Sequence, residues 1–367
     1  MKIAFDAKRF FHNASGLGNY SRDLVRILAE NFPENEYVLL EQKKSERGSE
    51  ILDLPNVSFH QVKKAKFARQ LEFGKTAQEI NADIFHGLSG ELPLKWNKKP
   101  IKKIVTIHDL IFLRFPQFYS FFDRKIHFWK FKKACEQADL VIAISEQTKR
   151  DIIQFFKIPE SKIVVVYQGC HQTFKVKKTE KFLEQTKLKF NLPERFILNV
   201  GTIEPRKNLL NIIKAISGTD INLIVIGKQT KYYIKVNKII LKNNIQNQVF
   251  FLENVSMDEL SAIYQLAEIF VYPSLFEGFG IPVIEALFSE TAVITSNTSS
   301  LPEAGGESSL YVNPENIEDL TAKISFLWNN ESERKRIAEK GLDFVQKFSD
   351  ENIAGNLMEV YSEVLEK

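Results

Sequence analysis

Two consecutive doubly wound α/β domains are the fold class that this sequence predicts, and three observations predict it. Short apolar runs alternate with helical patterns along the whole chain, which is the signature of parallel α/β architecture. Several runs, such as "KIVTIHD" and "DLVIAIS", are nearly continuous in Val and Ile, as strands covered on both faces require. A polar, lysine-rich stretch near the middle separates one series of runs from a second. The length of 367 residues fits two domains at about 100–200 residues each.

The first series places strands at 2–7, 37–42, 57–62, 83–87, 103–109, 139–145 and 162–169. The stretch "HQTFKVKKTEKFLEQTKLKFNLPE" (171–194) then reads as a connection carrying one helical segment. Strands resume at 195–201, 221–227, 249–253, 268–274 and 292–297. Between two of them Ser256 and Glu259 form a capping box that starts a helix. The tail from 316 to 367 is helical, with Ser349 the cap of the last helix. The expected organisation is a first domain over 1–170, a connection over 171–194, a second domain over 195–348, and a C-terminal helix over 349–367 that packs back on the first domain. Ligands in such folds bind at the carboxyl ends of strands, and a cleft between the two domains is the expected active site.

Composition excludes several classes. At 44% hydrophobic and 26% charged the chain is ordinary and globular, and a net charge of +4 gives no argument for a nucleic-acid partner. Cys135 and Cys170 belong to no CxxC or Cys/His cluster, which fits a reducing cytosol. The chain opens on "MKIAFDAKRF", directly into a strand, and no apolar run nears the roughly 20 residues of a membrane span. A soluble or peripheral cytoplasmic protein is expected. No cofactor is implied, and without an Asp-x-Asp motif no metal is expected.

The stretch "SLFEGFGIPVIEAL" (274–287) carries the most chemistry. A strand ends, a loop holds Gly278, Phe279 and Gly280, and a helix begins with Pro282 at or near its first position, where proline's missing N–H costs nothing. Glycines let backbone amides approach a ligand, and a helix start suits a diphosphate. Glu277 and Glu285 would repel a plain phosphate but bind vicinal hydroxyls, each charged hydrogen bond being worth roughly 1.5–3 kcal/mol. A ligand with diols on both sides of a pyrophosphate, a nucleotide sugar, satisfies both demands. The plain alternative is two solvated surface glutamates. In "NVGTIEPRKNLLNII" (199–213), a strand runs into Gly201 and a loop presents Arg206 and Lys207 before a helix. Cations there oppose the helix dipole and call for a compensating anion, such as a diphosphate leaving group; the alternative is a solvated turn.

Three weaker signals lie in the first half. "ASGLGNYSRDL" (14–24) imitates a dinucleotide fingerprint, but Ser21 replaces the third glycine and the motif starts too far from its strand. A flexible glycine loop, with Gly16 and Gly18 reaching a phosphate, fits better. His108, in "VTIHDLIF", ends a strand facing the presumed cleft and is a candidate for a functional role, the alternative being the structural role more common for a lone histidine; His86 ends another strand and ranks below it. The basic, aromatic segment 118–135 reads as a helix that lies on anionic membrane, or as an ordinary amphipathic helix packing Phe122, Ile126 and Trp129 on the sheet. Lysines at 63, 64, 66, 95, 98, 99, 102 and 103 add to the positive charge of this half.

Taken together, "GLGNYS", "VTIHDLIFLRFP", "FILNVGTIEPRKNL", "VYPSLFEGFGIPVIEA" and "ITSNTSSLPEAGG" resemble the retaining glycosyltransferases of family 4, which have the GT-B fold, over nearly the whole chain and in order. The resemblance implies two Rossmann-like domains facing across a cleft, the first on the acceptor side. It implies that Glu277 touches the donor sugar, Glu285 the ribose, Arg206 and Lys207 the diphosphate, with the glycine loop near Gly16 and Gly18 closing on it and His108 beside the sugar. The wording is nearest to mannosyltransferase-like enzymes of polysaccharide assembly, which favours GDP-mannose as donor and a glycan or lipid-linked acceptor. After Glu285 the chain departs from the family turn, with Glu290 and Ala292 where a glycine and a proline are usual. The family route is a same-face transfer in which the leaving phosphate helps deprotonate the acceptor. Alternatives are a UDP- or TDP-sugar donor, a non-catalytic nucleotide-sugar-binding protein, a same-fold epimerase or phosphorylase, and a nicotinamide oxidoreductase, the last disfavoured by the misplaced glycines.

Overall fold

The computed structural model describes residues 1–14 and 16–367. They form two compact units, one of residues 1–169 with 348–367, the other of residues 170–347.

In the first unit, β1 (Lys2–Asp6), β2 (Glu36–Glu41), β3 (Val57–Gln61), β4 (Ile84–Gly87), β5 (Lys102–Ile107), β6 (Leu140–Ala143) and β7 (Ile163–Val165) form a parallel sheet in the order β3-β2-β1-β4-β5-β6-β7. Alternate residues serve opposite faces. Ile3, Phe5, Leu39, Ile84 and Ile104 enter one core, and Ala4, Leu40, Phe85 and Val105 enter the other. Both sides are apolar because both are covered, at roughly 1.5–3 kcal/mol for each large side chain buried. The helix Asp350–Glu366, started by Ser349 whose hydroxyl accepts from Asn352 N–H, supplies Leu357, Met358, Val360, Tyr361 and Val364 to the first of these cores. Arg26, on the helix Gly16–Asn31, pairs with Asp350 at 2.9 Å.

In the second unit, β8 (Ile197–Val200), β9 (Leu223–Ile226), β10 (Val249–Leu252), β11 (Ile269–Tyr272), β12 (Ala292–Ser296) and β13 (Leu310–Val312) form a parallel sheet in the order β10-β9-β8-β11-β12-β13. The order reverses between β8 and β11, so the loops leaving those two strands diverge and leave a crevice where ligands of such folds sit. Strand β13 is absent from the sequence expectation, since its three residues, Leu-Tyr-Val, are too few to show a period. The helix Met257–Leu266 starts with the expected capping box of Ser256 and Glu259.

The lysine-rich stretch after residue 170 packs within this unit. Its helix Glu180–Lys189 is capped by Thr179. Ser261 donates to the carbonyl of Thr173 and Gln265 to that of Val176. Ionic support comes from Lys178 on Asp258 at 2.7 Å.

Two sequence readings change. Gly16 and Gly18 begin the helix Gly16–Asn31 rather than a flexible loop. Gly18 is glycine because an added Cβ would lie 2.0 Å from the carbonyl oxygen of Asn13. The helix Phe121–Gln137 turns Phe122, Ile126 and Trp129 to solvent, at 77%, 53% and 55% exposure, so these residues do not pack on the sheet. Ala134 and Cys135 face inward instead.

The departure at Glu290 is accommodated in the backbone. Glu290 takes φ +56°, the left-handed conformation for which glycine is suited and an L side chain costs roughly 1–2 kcal/mol. Its ion pair with the 78% exposed Lys177 is a surface pair of small worth. Glu290→Gly is therefore expected to hold or raise stability by up to about 1 kcal/mol and Glu290→Val to lower it by a similar amount, both read from urea unfolding midpoints.

Candidate active site

The second unit gathers its charges at the carboxyl ends of β8 and β11. After β8, Gly201 adopts φ +146° and donates its N–H to Ile226 at 2.8 Å. The chain then forms the short turn Pro205–Lys207, and Asn208 follows at φ +59° before the helix Leu209–Ile216. Asn208 separates the two cations from the helix start, and its side chain ties the turn to the carbonyls of Pro273 and Pro314 at 3.0 and 2.7 Å. The backbone carbonyl of Arg206 accepts from Leu275 N–H at 2.9 Å, joining the two loops, and lies 3.2 Å from the Ser274 hydroxyl oxygen.

Glu277 lies in the centre, 8% exposed. Its Oε2 meets Arg206 Nη1 at 2.8 Å. Its Oε1 accepts from Lys207 Nζ at 2.7 Å, Tyr272 Oη at 3.1 Å and Ser274 Oγ at 2.5 Å. Burial alone would raise its proton affinity, but Lys207 and Arg206 outweigh burial and hold the carboxyl down at about 2. Burial lowers the proton affinity of Lys207 despite Glu277, whereas for Arg206 the carboxylates of Glu277 and Glu204 prevail over burial and strengthen the charge. The anion that compensates the two cations is thus the chain's own Glu277, where sequence reasoning looked only for a ligand.

The cluster keeps donors in reserve. Arg206 spends protons on Phe276 O, Glu204 and Glu277, three of the five N–H groups of a guanidinium. Lys207 spends protons on Tyr272 and Glu277, two of the three on an ammonium. Two N–H protons of Arg206 and one of Lys207 thus have no acceptor among the described residues.

The loop Gly278–Gly280 is clamped from the chain after β12. Ser299, itself at φ +55°, accepts the N–H of Glu277 at 3.0 Å. The Ser300 hydroxyl lies 3.0 Å from the carbonyl of Glu277 and 2.7 Å from that of Phe279. Phe279 is buried, and Gly280, at φ +133°, leads into the helix Ile281–Phe288, which has Pro282 in its first turn.

Glu285 stands on that helix and does not join the cluster directly. Its described bond is from Tyr264 Oη at 3.1 Å. Tyr264 meets Phe270 at 5.2 Å between centroids and Phe270 stacks on Tyr272 at 5.6 Å, so an aromatic row separates the two glutamates. Without a cation at hand, burial pushes the Glu285 carboxyl up to about 7, the Tyr264 hydroxyl opposing it. Tyr264, Tyr272, Ser274, Ser299 and Ser300 were missed by sequence reasoning; the polar residues flanking "LFEGFG" and "SSLPE" were the signal available.

The first unit holds the remaining candidates. His108 follows β5 with both ring nitrogens engaged, Nε2 with the carbonyl of Leu88 and Nδ1 with the Gln168 amide nitrogen, each at 2.8 Å. A carbonyl only accepts, so Nε2 carries the proton and Nδ1 accepts from Gln168. Burial lowers the ring's proton affinity to about 4, partly offset by Leu88. His108 is a neutral, fixed imidazole, suited to shaping a pocket rather than to shuttling protons. Gly16 and Gly18 lead the helix that brings Tyr20 edge-on against it, 4.6 Å between centroids. Among the described residues no group of three His, Cys, Asp or Glu side chains is placed to hold a metal ion.

Two family models match the chain, "Glycosyltransferase Family 4" over residues 14–173 and "Glycosyl transferases group 1" over residues 180–344. The O-antigen chain mannosyltransferase B of Escherichia coli is 24% identical over 98% of this chain and 99% of its own length. The O-antigen chain mannosyltransferase RfbU of Salmonella typhimurium is 31% identical over 60% of this chain and 62% of its own. A glycosyltransferase structure from Rickettsia africae superposes with a TM-score of 0.78 at 19% identity, covering 99% of this chain and 98% of that one.

A carboxyl held below its usual range stabilises the fold above the unfolded-state value, and that stability is lost as pH falls through the folded value. The Glu277 carboxylate is therefore expected to contribute on the order of 3 kcal/mol at neutral pH, lost between about pH 4.5 and 2. Urea unfolding of Glu277→Gln across that range should lack this segment of the pH dependence.

Proposed function

We propose, for a chain that belongs to the family 4 glycosyltransferases and has their GT-B fold, that it transfers mannose from GDP-mannose to a hydroxyl of a glycan or lipid-linked acceptor in surface polysaccharide synthesis. The observation that carries this reading is the buried Arg206–Lys207–Glu277 cluster at the carboxyl ends of β8 and β11, with N–H protons of both cations uncommitted. A diphosphate supplies the acceptors those protons lack. The O-antigen mannosyltransferases among its relatives support mannose and a polysaccharide acceptor.

The chemical barrier is charge separation, as negative charge grows on the departing diphosphate. Arg206, Lys207 and the amides of Gly278–Gly280 stabilise that charge from fixed positions, which requires no reorganisation during the reaction. Glu277, ionised and already holding two cations, is a poor nucleophile or base; its part is to hold the cations and to accept from a sugar hydroxyl. The reading is accordingly a same-face transfer with retention, in which a leaving-group oxygen takes the acceptor's proton and no metal takes part. Glu285 receives the ribose diol, and His108 with the helix start at Gly16 and Gly18 borders the transferred sugar.

The acceptor's lipid carrier gives the exposed face of the helix Phe121–Gln137 a partner. Phe121, Phe122, Ile126 and Trp129 are exposed there beside Arg124, Lys125, Lys132 and Lys133, an apolar stripe edged by cations that suits an anionic bilayer surface. No described helix is long and apolar enough to cross a membrane. On this reading the protein works in the cytoplasm, peripherally on the inner membrane face. Vesicles containing anionic lipid should co-sediment it, with binding reduced by salt and by the pair Phe122→Ser and Trp129→Ser; binding indifferent to anionic lipid removes this part of the proposal.

Calorimetric titration with GDP, UDP, ADP and TDP tests the donor, and GDP is expected to bind tightest. Ribose hydroxyls donate to the ionised form of Glu285, so binding releases a proton from a group that titrates at about 7 in the free protein. Affinity should therefore fall as pH drops below about 7, by up to about tenfold per unit, and Glu285→Gln should flatten that slope. A tighter UDP or TDP reassigns the donor, and no binding by any diphosphate moves the site assignment off this cluster.

A further inference from the structure

The first unit contains a buried polar chain that the proposed chemistry leaves unused. It begins at Tyr361 on the C-terminal helix, whose hydroxyl lies 2.7 Å from His86 Nδ1. His86 Nε2 lies 2.8 Å from the hydroxyl of Thr106 on β5. That hydroxyl lies 3.3 Å from Tyr20 Oη, and the Tyr20 ring stands edge-on to His108. Tyr361, His86 and Thr106 are all fully buried. Two further bonds, to the Leu88 carbonyl and from the Gln168 amide, fix the remaining sides of His108.

The direction of the chain follows from counting protons. His86 stays neutral, since burial and then the neighbouring His108 push its proton affinity down to about 3; one of its ring nitrogens therefore donates and the other accepts. If Nδ1 donated, the Tyr361 hydroxyl proton would be buried with no acceptor among the described residues, at a cost of roughly 1–3 kcal/mol. If Tyr361 donates to Nδ1, then Nε2–H donates to Thr106 and Thr106 donates to Tyr20, so the one proton left over is that of the half-buried Tyr20 hydroxyl rather than that of the fully buried Tyr361. The chain then runs one way, from the C-terminal helix to the residue that faces His108. The Arg26–Asp350 pair holds the helix of Tyr20 to the same C-terminal helix at its other end.

We infer that Tyr361 is a positioning residue of the reaction centre, setting the His86 tautomer and the Thr106 hydroxyl and, through them, the Tyr20 edge that fixes His108. The inference rests on the reading of His108 as a border of the sugar site. It assigns to the C-terminal helix a part in turnover, while nucleotide affinity belongs to groups of the second unit.

The test combines imidazole nitrogen NMR with turnover, measured as GDP release from GDP-mannose and UDP release from UDP-glucose. The wild type is expected to show the Nε2–H tautomer at both His86 and His108. Tyr361→Phe should shift His86 Nδ1 to the resonance of an unbonded nitrogen. It should also lower kcat by at least about fivefold, the scale that slight misplacement of a reacting group produces, with GDP affinity unchanged within twofold. Thr106→Val should reproduce the loss of kcat and Thr106→Ser restore it, which keeps the question open to decision if Tyr361→Phe folds poorly. An Nδ1–H tautomer at His86 overturns the inference, as does undiminished kcat in Tyr361→Phe and Thr106→Val when His108→Ala is impaired. If His108→Ala itself turns over normally, the reading of His108 fails first, and the inference goes with it.

Discussion

One carboxylate, that of Glu277, governs the candidate active site. Taking Arg206 and Lys207 out of water costs several kcal/mol for each charge, and two such charges side by side also repel. Glu277, between them, offsets both penalties while leaving the trio with a net positive charge. The structure around it serves to keep that carboxylate in place: Tyr272 and Ser274 on one oxygen, Ser299 on its amide, Ser300 on its carbonyl. Such a cluster is costly as a device for stability alone, since apolar side chains of similar volume serve as well. On the proposed reading its return is in binding an anion, because the cations stand oriented before the ligand arrives.

The two glutamates show how position decides chemistry for one residue type. Glu277 sits between cations and is an anion at any physiological pH, whereas Glu285, beyond the row of Tyr264, Phe270 and Tyr272, is half-buried against a hydroxyl and titrates near neutrality. Environments that drive like groups apart in this way are how one fold obtains two roles from two carboxyls. His108 shows the opposite economy, its two nitrogens both spent on the protein.

Much of this was legible in the sequence, for identifiable reasons. Both parallel sheets followed from unbroken Val/Ile runs, and the starts of the helices Met257–Leu266 and Asp350–Glu366 from their capping serines. Glu277, Arg206 and Lys207 were named from residue type and place, but their mutual pairing was not, because it depends on β8 lying beside β11, a neighbourhood between residues some seventy positions apart. Gly16 and Gly18 looked like a loop since glycine signals freedom; at Gly18 the requirement is space for the Asn13 carbonyl, a demand only the packed backbone reveals. Strand β13 was too short to have a period. Left-handed Glu290 and Ser299 stand where backbone strain is set by tertiary context rather than by residue preference.

The first unit is discontinuous in the chain, closed by residues 348–367. During synthesis, at about 5–20 residues per second, the second unit emerges whole while the first still lacks Leu357, Tyr361 and Val364. For that interval the core of Ile3 and Phe5 is covered only in part, by Leu24, Val25 and Leu28 of the helix Gly16–Asn31, and His86 has no partner on Nδ1. The nascent chain is then vulnerable to aggregation and proteolysis, and a ribosome that stalls before residue 350 leaves a product with the whole candidate site of the second unit and an unfinished first core. Order of translation thereby separates the ability to hold a ligand from the ability to act on it.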